Sequence, residues 1–422
     1  GGKGGDGARV DINAANQEVT GVTPAQDGEG NGAGGGGPVS TLILTMATSS
    51  VPRAGQGGGA GHAEYGEAGV NDFLGSTTSY NSPSGRAGLP FGDSAITTIR
   101  GGAGGGGGAT PVKLSLTNFQ ARQGGGGGGG GGAFGVIARG SVQLTGIITC
   151  DGGSGSIGGA GSQAGAGGGG AGGSILVRAT GNVALGAEVV LSAKGGFGGL
   201  QSPSTTNALR GGNGSPGRIR LEANGQLLSP GINDGTYLPM IDGTSPGVTE
   251  GVSTGTIETG TGIDGVLDSS ILGASGEFMI DTDLGKIFDA GGLEVFANNT
   301  VVAEEKGTFN LTRLDIPAGV TLVGFGSNPL IFRVSGLTDV RGTIDVSGEA
   351  GGIPDYLTDP LNPTPGLGGR GGAGGGDGGN GGSATLLDVG LAGAGGMPPT
   401  MPPQLISSIP PLGGGGGGGA PT

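Results

Sequence analysis

The sequence is poor in the residues that build an ordinary globular interior. It contains no tryptophan, aromatic residues make up 4% of it, and apolar residues make up 33%. Large side chains are therefore too few to fill a conventional hydrophobic core in a chain of 422 residues. If the chain is ordered, backbone must pack against backbone over much of its length.

Charge and cysteine are also scarce. Charged residues make up 12% of the chain, well below the level of most disordered proteins, and the net charge is −14. The acidic balance argues against nucleic acid as a partner, because phosphates attract basic surfaces. The single cysteine, Cys150, is expected either to be buried as a small apolar residue or to pair between chains. No stretch approaches the roughly 20 apolar residues of a membrane span.

Glycine is the residue in excess, with 113 copies beside 24 prolines. The longest run is Gly124 to Gly132, nine consecutive glycines, and shorter runs include 167–170 and 413–419. Such runs are usually flexible tethers, but here they alternate with strand-like segments. We predict packed rods of left-handed threefold helices, an arrangement called polyglycine-II packing, because residues without a Cβ allow close backbone contact. On this prediction Gly128→Val should destabilise the fold as strongly as an overpacked core does.

Between the glycine runs, short β-branched segments recur with similar spacing. They lie at 134–153, 175–196 and 218–228, with weaker versions at 9–12, 41–45 and 112–117. Val136, Val177 and Ile219 mark the expected equivalent positions, about 40 residues apart. Repetition of period-two strands at this scale predicts stacked parallel coils. The predicted fold class is therefore all-β and irregular: a parallel, β-helix-like solenoid combined with a polyglycine-II bundle, and essentially no α-helix.

Changes in composition divide the chain into four predicted segments. They are a glycine-rich solenoid at 1–230 with a loop insertion at 54–100, a turn-rich connector at 231–275, a β-helix-like domain at 276–350, and a Gly/Pro-rich segment at 351–422.

Motifs for hydrolysis are weak. Ser245 and Ser253 lie in Gly-x-Ser-x-Gly sequences, but a nucleophile elbow needs a preceding strand, a following helix and a histidine partner. Pro246 and the turn-rich surroundings contradict that context, and His62 is the only histidine. We therefore predict no catalytic residues, no cofactor site and no enzyme activity.

Acidic residues leave alternatives open. Asp281 with Asp283, or Asp339 with Asp345, could bind calcium through oxygen ligands, or they face solvent as strand and turn residues. Asp339, Arg341 and Asp345 all have odd residue numbers and are therefore expected to share one strand face. That face is either an ion ladder or, remotely, the catalytic face of a polysaccharide-active β-helix enzyme. Calcium has no further support in the sequence, so no metal site is predicted.

The insertion at 54–100 concentrates aromatic residues on predicted loops. Tyr65, Tyr80 and Phe91 form either a patch that binds a sugar or protein partner, or a small satellite core. Asn298 and Asn310 lie in Asn-x-Thr sequons, which matter only in a host that glycosylates them.

Two strand-rich stretches carry a family resemblance. Residues 309–323 and 330–348, with glycine-rich sequence and strands of the type Ser-Ile-Leu-Val-Arg-Ala-Thr-Gly, resemble large glycine-rich repetitive bacterial surface proteins. The resemblance implies a cell-surface or secreted structural role and assigns no site residues. In those proteins the section with Ile-Pro-Ala-Gly-Val-Thr precedes the glycine-rich coils, whereas here the order is reversed.

The reversed order suggests how copies could join. Gly413 to Gly419 of one subunit would continue into Gly1, Gly2 and the following glycines of another, which gives a head-to-tail filament; alternatively the chain is one period of a longer tandem polypeptide. The expected function is a subunit of an extracellular or cell-surface fibre that polymerises with itself. The alternative is a surface adhesin or phage-type receptor-binding fibre whose loops recognise cell-surface or matrix glycans.

Overall fold

Strands form nearly all the regular secondary structure of the residues that can be described. The computed structural model describes residues 55–71, 84–109, 124–158, 164–200, 209–229, 260–300, 302–354 and 366–381, and the backbone of further strands at 9–13, 18–23, 112–114, 119–121, 240–242 and 244–250. Within these ranges the only helices are the four-residue α1 (Ser269–Leu272) and a 3-10 turn at Ala303–Glu305. An all-β chain with almost no helix is thus confirmed.

The strands are short, most of them three to seven residues, and are numbered here in chain order. The first fourteen are β1 (Arg9–Asn13), β2 (Glu18–Thr23), β3 (Val70–Asn71), β4 (Val112–Leu114), β5 (Phe119–Ala121), β6 (Ala133–Ala138), β7 (Val142–Leu144), β8 (Ile147–Thr149), β9 (Ser174–Ala179), β10 (Val183–Leu185), β11 (Val190–Ser192), β12 (Leu209–Arg210), β13 (Arg218–Ala223) and β14 (Leu227–Leu228). The others are β15 (Met240–Asp242), β16 (Thr244–Glu250), β17 (Gly265–Leu267), β18 (Ser275–Asp281), β19 (Lys286–Asp289), β20 (Glu294–Ala297), β21 (Thr308–Ile316), β22 (Gly319–Phe325), β23 (Leu330–Val334), β24 (Thr338–Val340) and β25 (Thr343–Asp345).

Two large sheets contain most of these strands. The first has the order β14-β10-β7-β24-β21-β23-β6-β9-β13-β16, with β17 also beside β21, and all of its pairings are parallel. The second has the order β15-β11-β8-β25-β22-β18-β19-β20 and is parallel except for the hairpins β18–β19 and β19–β20. The interval 231–275, expected to be a turn-rich connector, contributes β15, β16, β17 and α1.

The strand pairing aligns the repeated segments, but it corrects one of the three positions predicted to be equivalent. Val136 pairs with Val177 as expected, but Val177 pairs with Leu221, and Ile219 pairs with Ile175. The prediction that Ile219 is the equivalent residue was wrong by two positions. A shift of two keeps a residue on the same face of its strand, so Ile219 and Leu221 are both still buried.

One hydrophobic core lies between the strands of both large sheets. Strands such as β7 alternate buried and exposed residues, as expected of a sheet with one face in the core. Phe309, Phe332 and Phe134 form a column there, with ring centroids 5.7 Å apart for the first pair and 6.1 Å apart for the second. This column joins residues far apart in the chain, because β23 lies directly beside β6.

Candidate assembly site in the glycine tracts

The nine-glycine run at 124–132 is buried and hydrogen-bonded on all sides. Its backbone N–H groups donate to three different segments in rotation, so that every third residue faces the same neighbour. Gly125, Gly128 and Gly131 donate to Gly165, Gly168 and Ala171; Gly126, Gly129 and Gly132 donate to Gly352, Glu349 and Val346; Gly127, Gly130 and Ala133 donate to Gly379, Gly376 and Ala373. These N–O distances lie between 2.6 and 3.3 Å.

The carbonyl groups of the same run accept in a similar rotation, from three other stretches of chain at every position except Gly132, whose donor Ser174 continues the segment 165–171. The donors are Gly108, Gly105 and Gly102 for Gly125, Gly128 and Gly131; Ser156, Gly153 and Ser174 for Gly126, Gly129 and Gly132; Gly366, Gly369 and Gly372 for Gly124, Gly127 and Gly130. The run is therefore surrounded by other backbone segments, some parallel to it and some antiparallel.

A period of three distinguishes this arrangement from a β-sheet. In a sheet, successive residues alternate between two directions, and hydrogen bonds lie within one plane. Here they leave the run in three directions and connect it to neighbours on every side. We refer to the described segments at 55–61, 101–109, 124–132, 152–158, 164–173, 195–199, 211–217, 348–352 and 366–381 as the glycine bundle.

Glycine is required in the bundle because the neighbouring backbones occupy the space of a side chain. A Cβ added at any residue from 125 to 132 would lie 1.9 to 2.6 Å from a backbone atom of another segment. At Gly128 the nearest atom is the carbonyl oxygen of Gly153, at 1.9 Å. Contacts below 3.0 Å are essentially never made by real Cβ atoms, so any L-side chain requires the backbone to move.

Two aromatic residues of the loop insertion, both predicted to bind a partner, differ in solvent exposure. Tyr65 is 66% exposed, whereas Phe91 is only 5% exposed and stacks on His62, with ring centroids 4.7 Å apart. Phe91 forms a small cluster with alanines of the bundle, Ala60, Ala103 and Ala171. Phe91 is therefore part of a small satellite core, the second of the two alternatives. The alternative that Phe91 is an exposed partner-binding residue was wrong.

His62 anchors this insertion to the bundle and is not placed as a catalytic base. Its ring is fully buried, and Nδ1 lies 2.7 Å from the carbonyl oxygen of Gly172, to which it donates as the neutral tautomer. Burial, with smaller effects from Arg218 and Arg100, lowers the pKa of His62 to about 3. Nearby, Nη1 of Arg218 donates to the carbonyl oxygen of Phe91 at 2.6 Å, which fixes the loop at 84–100 over the sheet.

The acidic strand face forms an ion ladder centred on a residue that the sequence reading missed. Asp315 accepts from Arg341 at 2.6 Å and from Arg313 at 2.9 Å, and Arg341 also contacts Asp339 at 3.2 Å. Asp345 lies apart from this ladder and accepts from Thr149 Oγ1 at 2.8 Å. Partial burial raises the pKa of Asp339, although Arg341 opposes the shift.

The other calcium candidates bond to nearby polar groups. Asp281 accepts from the backbone of Asp283 and Leu284, and Asp283 accepts from Ser327 Oγ at 2.5 Å and from Asn328. Across the ranges that the structure describes, no three His, Cys, Asp or Glu side chains are grouped so that they could hold a metal ion. In the same ranges, no helix has the length and apolar character needed to cross a membrane.

Two further residues of interest are buried. Cys150 has no exposed surface, and burial, with smaller effects from Asp151 and Asp345, raises the pKa of its thiol well above the usual value. The sequon residue Asn298 donates from Nδ2 to the carbonyl oxygens of Lys306 and Thr308, so its amide is engaged within the fold.

Several predicted site residues lie outside the described ranges. They are Tyr80, Gly1, Gly2, Gly413 and Gly419, and Ser253 of the rejected hydrolase motif lies outside them as well. Ser245 falls within β16, of which only the backbone is described.

Comparisons with models of known protein families, with curated protein sequences and with solved structures find no match to this chain.

Proposed function

We propose that this protein is a structural subunit of an extracellular or cell-surface fibre, assembled head-to-tail and without enzymatic activity. In this proposal the glycine bundle is a polyglycine-II bundle, and the strands form a β-solenoid along its side. The observation that carries the proposal is the threefold rotation of hydrogen bonds around Gly124 to Gly132. Threefold extended helices have three residues per turn, so each third residue meets the same neighbour.

Stiffness follows from this arrangement. Each residue at the centre of the bundle both donates and accepts a backbone hydrogen bond. These bonds remove the flexibility that a glycine run usually has. Bending the bundle would break buried hydrogen bonds, whose polar groups would then lack partners. A rod of this kind suits a load-bearing element better than a binding loop or a catalytic cleft.

The experiment is electron microscopy of the purified chain over a range of concentrations, with fibre diffraction of the assembled material. We expect unbranched filaments and a reflection at about 3.1 Å, the residue rise of a threefold helix. Particles that remain monomeric at every concentration would refute the fibre proposal. Filaments that lack the threefold reflection would refute the polyglycine-II part alone.

The predicted tail contact has its own test. We propose that the run at 413–419 of one subunit continues the bundle of the next at Gly1 and Gly2. Deleting residues 397–422 should then abolish filaments or shorten them strongly. Filaments of normal length from the truncated chain would contradict the tail contact while leaving the fibre itself in place.

A second candidate function is an adhesin or receptor-binding fibre. The observation that favours it is Tyr65, an exposed aromatic residue on a loop that the rigid bundle holds in position. Glycan and cell-binding assays with the wild-type chain and Tyr65→Ser would test it. Loss of binding in the variant, without loss of folding, would favour this candidate; absence of binding by the wild type would remove it.

A further inference from the structure

Two sections of the chain meet at a seam that chain continuity does not create. We call residues 124–250 the first section and residues 260–381 the second section. Along the seam, β23, β24 and β25 of the second section lie beside β6, β7 and β8 of the first. The strands thus stack with the second section placed before the first, the reverse of their order in the sequence.

The match along the seam is uninterrupted. Leu330 pairs with Phe134, Thr338 with Val142 and Thr343 with Ile147, always with a separation of 196 residues. The same separation continues beyond the strands, where Ser156 Oγ bonds to the carbonyl oxygen of Gly352 at 2.6 Å. Other neighbouring parallel strands are much closer in sequence; for example, Val136 and Val177 are 41 residues apart.

The seam is also where the glycine bundle is completed. Of the nine donors from Gly125 to Ala133, the six that bond to 346–352 and 373–379 have their partners in the second section. In the core, the ring contact between Phe134 and Phe332 crosses the seam as well. Each section alone would therefore expose apolar surface and leave many backbone groups without partners.

Side chains add specificity to this contact. Thr149 Oγ1 donates to Asp345 Oδ1 at 2.8 Å, and the backbone N–H of Asp151 donates to Ser347 Oγ at 3.1 Å. The two surfaces are thus complementary in register, shape and polar groups, although they belong to separate stretches of one chain.

The connection between the two sections is long enough for the second section to pack either on the first section of its own chain or on that of another copy. Only residues 251–259 join the end of β16 to Gly260, which lies against the carbonyl group of Arg333 on β23. Strand β16 is four places from β23 in the sheet, roughly 19 Å at the usual strand spacing. Nine residues can cover that distance within one chain, and they can equally lead from one folded unit into the next.

We propose that the seam is a further subunit contact of the assembled protein, besides the tail contact: the second section of one copy docks on the first section of another copy. The proposal rests on the fibre function proposed above and identifies where its subunits join. Each copy offers two different, mutually complementary surfaces, so the contact is head-to-tail and extends into a filament when the rotation between copies does not close a ring. Within one copy the short connection keeps the two surfaces close together, at a high effective concentration. Docking between two copies must compete with this contact within one chain and therefore requires concentrated protein.

Mixed single-cysteine chains test the proposal directly. All chains carry Cys150→Ala; one carries Gln143→Cys, on β7, and the other Asp339→Cys, on β24. These residues are register partners across the seam, and neighbouring strands place Cα atoms at a distance that a disulfide can bridge. The two chains are unfolded together, refolded at increasing concentration, oxidised and examined by non-reducing electrophoresis.

The matched control replaces Asp339→Cys with Ala184→Cys. Ala184 is the register partner of Gln143 on its other side, but it lies in the same section, so this contact should stay within one chain. A third sample with Gln143→Cys and Asp339→Cys on one chain shows that the seam can be crosslinked at all. We expect the Gln143/Asp339 mixture to give a disulfide-linked dimer several-fold above the control mixture, and the yield should rise with concentration.

The outcomes separate this proposal from the fibre function. An interchain dimer that appears in samples without filaments supports the seam exchange and refutes the fibre. Filaments without interchain dimer, while the double variant crosslinks within monomers, overturn the seam exchange and leave the fibre standing. Equal dimer yields from the test and control mixtures also overturn it.

Discussion

Replacing Gly128 by alanine is the sharpest perturbation of the glycine bundle. The added Cβ would lie 1.9 Å from the carbonyl oxygen of Gly153, 2.4 Å from its carbonyl carbon and 2.9 Å from the carbonyl carbon of Ser154. All three are backbone atoms in buried or half-buried positions, so no side chain can rotate away. The segments must separate by more than an ångström to restore an ordinary contact.

The cost has two parts. Overpacking of this kind costs about 1–3 kcal/mol, and occasionally more. Separation would also disturb the bonds from Gly128 N to Gly168 O at 2.9 Å and from Gly105 N to Gly128 O at 2.8 Å. A buried polar group left without a partner costs about 1–3 kcal/mol. The lower unfolded-state entropy of alanine returns only about 0.4–1 kcal/mol, so we expect a net destabilisation of about 1–6 kcal/mol. Gly128→Val should be worse, because it adds two further methyl groups.

The assay is chemical denaturation followed by circular dichroism, with Gly291→Ala as the matched control. Gly291 is exposed, and the nearest atom to its added Cβ is Asp289 Oδ1, a side-chain atom at 3.2 Å. The control should change the free energy of unfolding by less than about 1 kcal/mol. If Gly128→Ala is as mild as the control, the run at 124–132 behaves as a tether and the packed-bundle reasoning fails.

Three further predictions follow from single side chains. The pKa of His62 is lowered from 6.5 to about 3 in the fold, so the unfolded chain binds one more proton than the native chain between these pH values. The free energy of unfolding should therefore be highest above pH 6.5 and fall by up to about 5 kcal/mol as the pH approaches 3. His62→Gln should remove this part of the pH dependence in denaturation curves, and an unchanged slope would contradict the assignment. Cys150, buried with a raised pKa, should react with a thiol reagent only after unfolding, and rapid reaction of the native protein would show that its pocket opens. Asp315→Asn should cost less than about 1 kcal/mol, because Arg313 and Arg341 are half exposed, and the loss should shrink in high salt; a larger, salt-insensitive loss would show that the ladder is structurally essential.

The periodicity of the sequence was enough to predict many strands of the two large sheets and their parallel pairing. The weaker repeats at 9–12 and 112–117 were wrongly included, because β1 pairs antiparallel with β2 and β4 pairs antiparallel with β5, outside those sheets. Val136 and Val177 are register partners as expected, because both follow the same pattern of turn glycines and alternating apolar residues. The assignment of Ile219 was wrong by two residues, because a shift of two preserves the alternation and leaves no trace in the pattern. The sequence shows which residues share one face of a strand, whereas the pairing register between two strands depends on the contacts of the whole strand.

The sequence contains a signal of the seam. Gly336, Gly342 and Gly348 match Gly140, Gly146 and Gly152 at one constant separation, so the sequence alone aligns the two strand-rich stretches. That alignment shows that they are alike, but neighbours in a stack need only be compatible. Hydrogen bonds and core contacts between distant residues decide which set of strands lies beside which.

Glycine content and the shortage of large side chains determined by themselves that this chain must bury backbone against backbone, since little else in it can be buried. They also implied short strands and little helix, but the expectation that no ordinary core would form was wrong, because the strands of both large sheets enclose buried Val, Ile, Leu and Phe side chains. Only the tertiary structure decided that Gly124 to Gly132 lies at the centre, that its donors turn through three neighbours, and that Phe91 and His62 face inward. A run of identical residues has no pattern from which partners can be read, so its neighbours follow from the packing of every other segment around it.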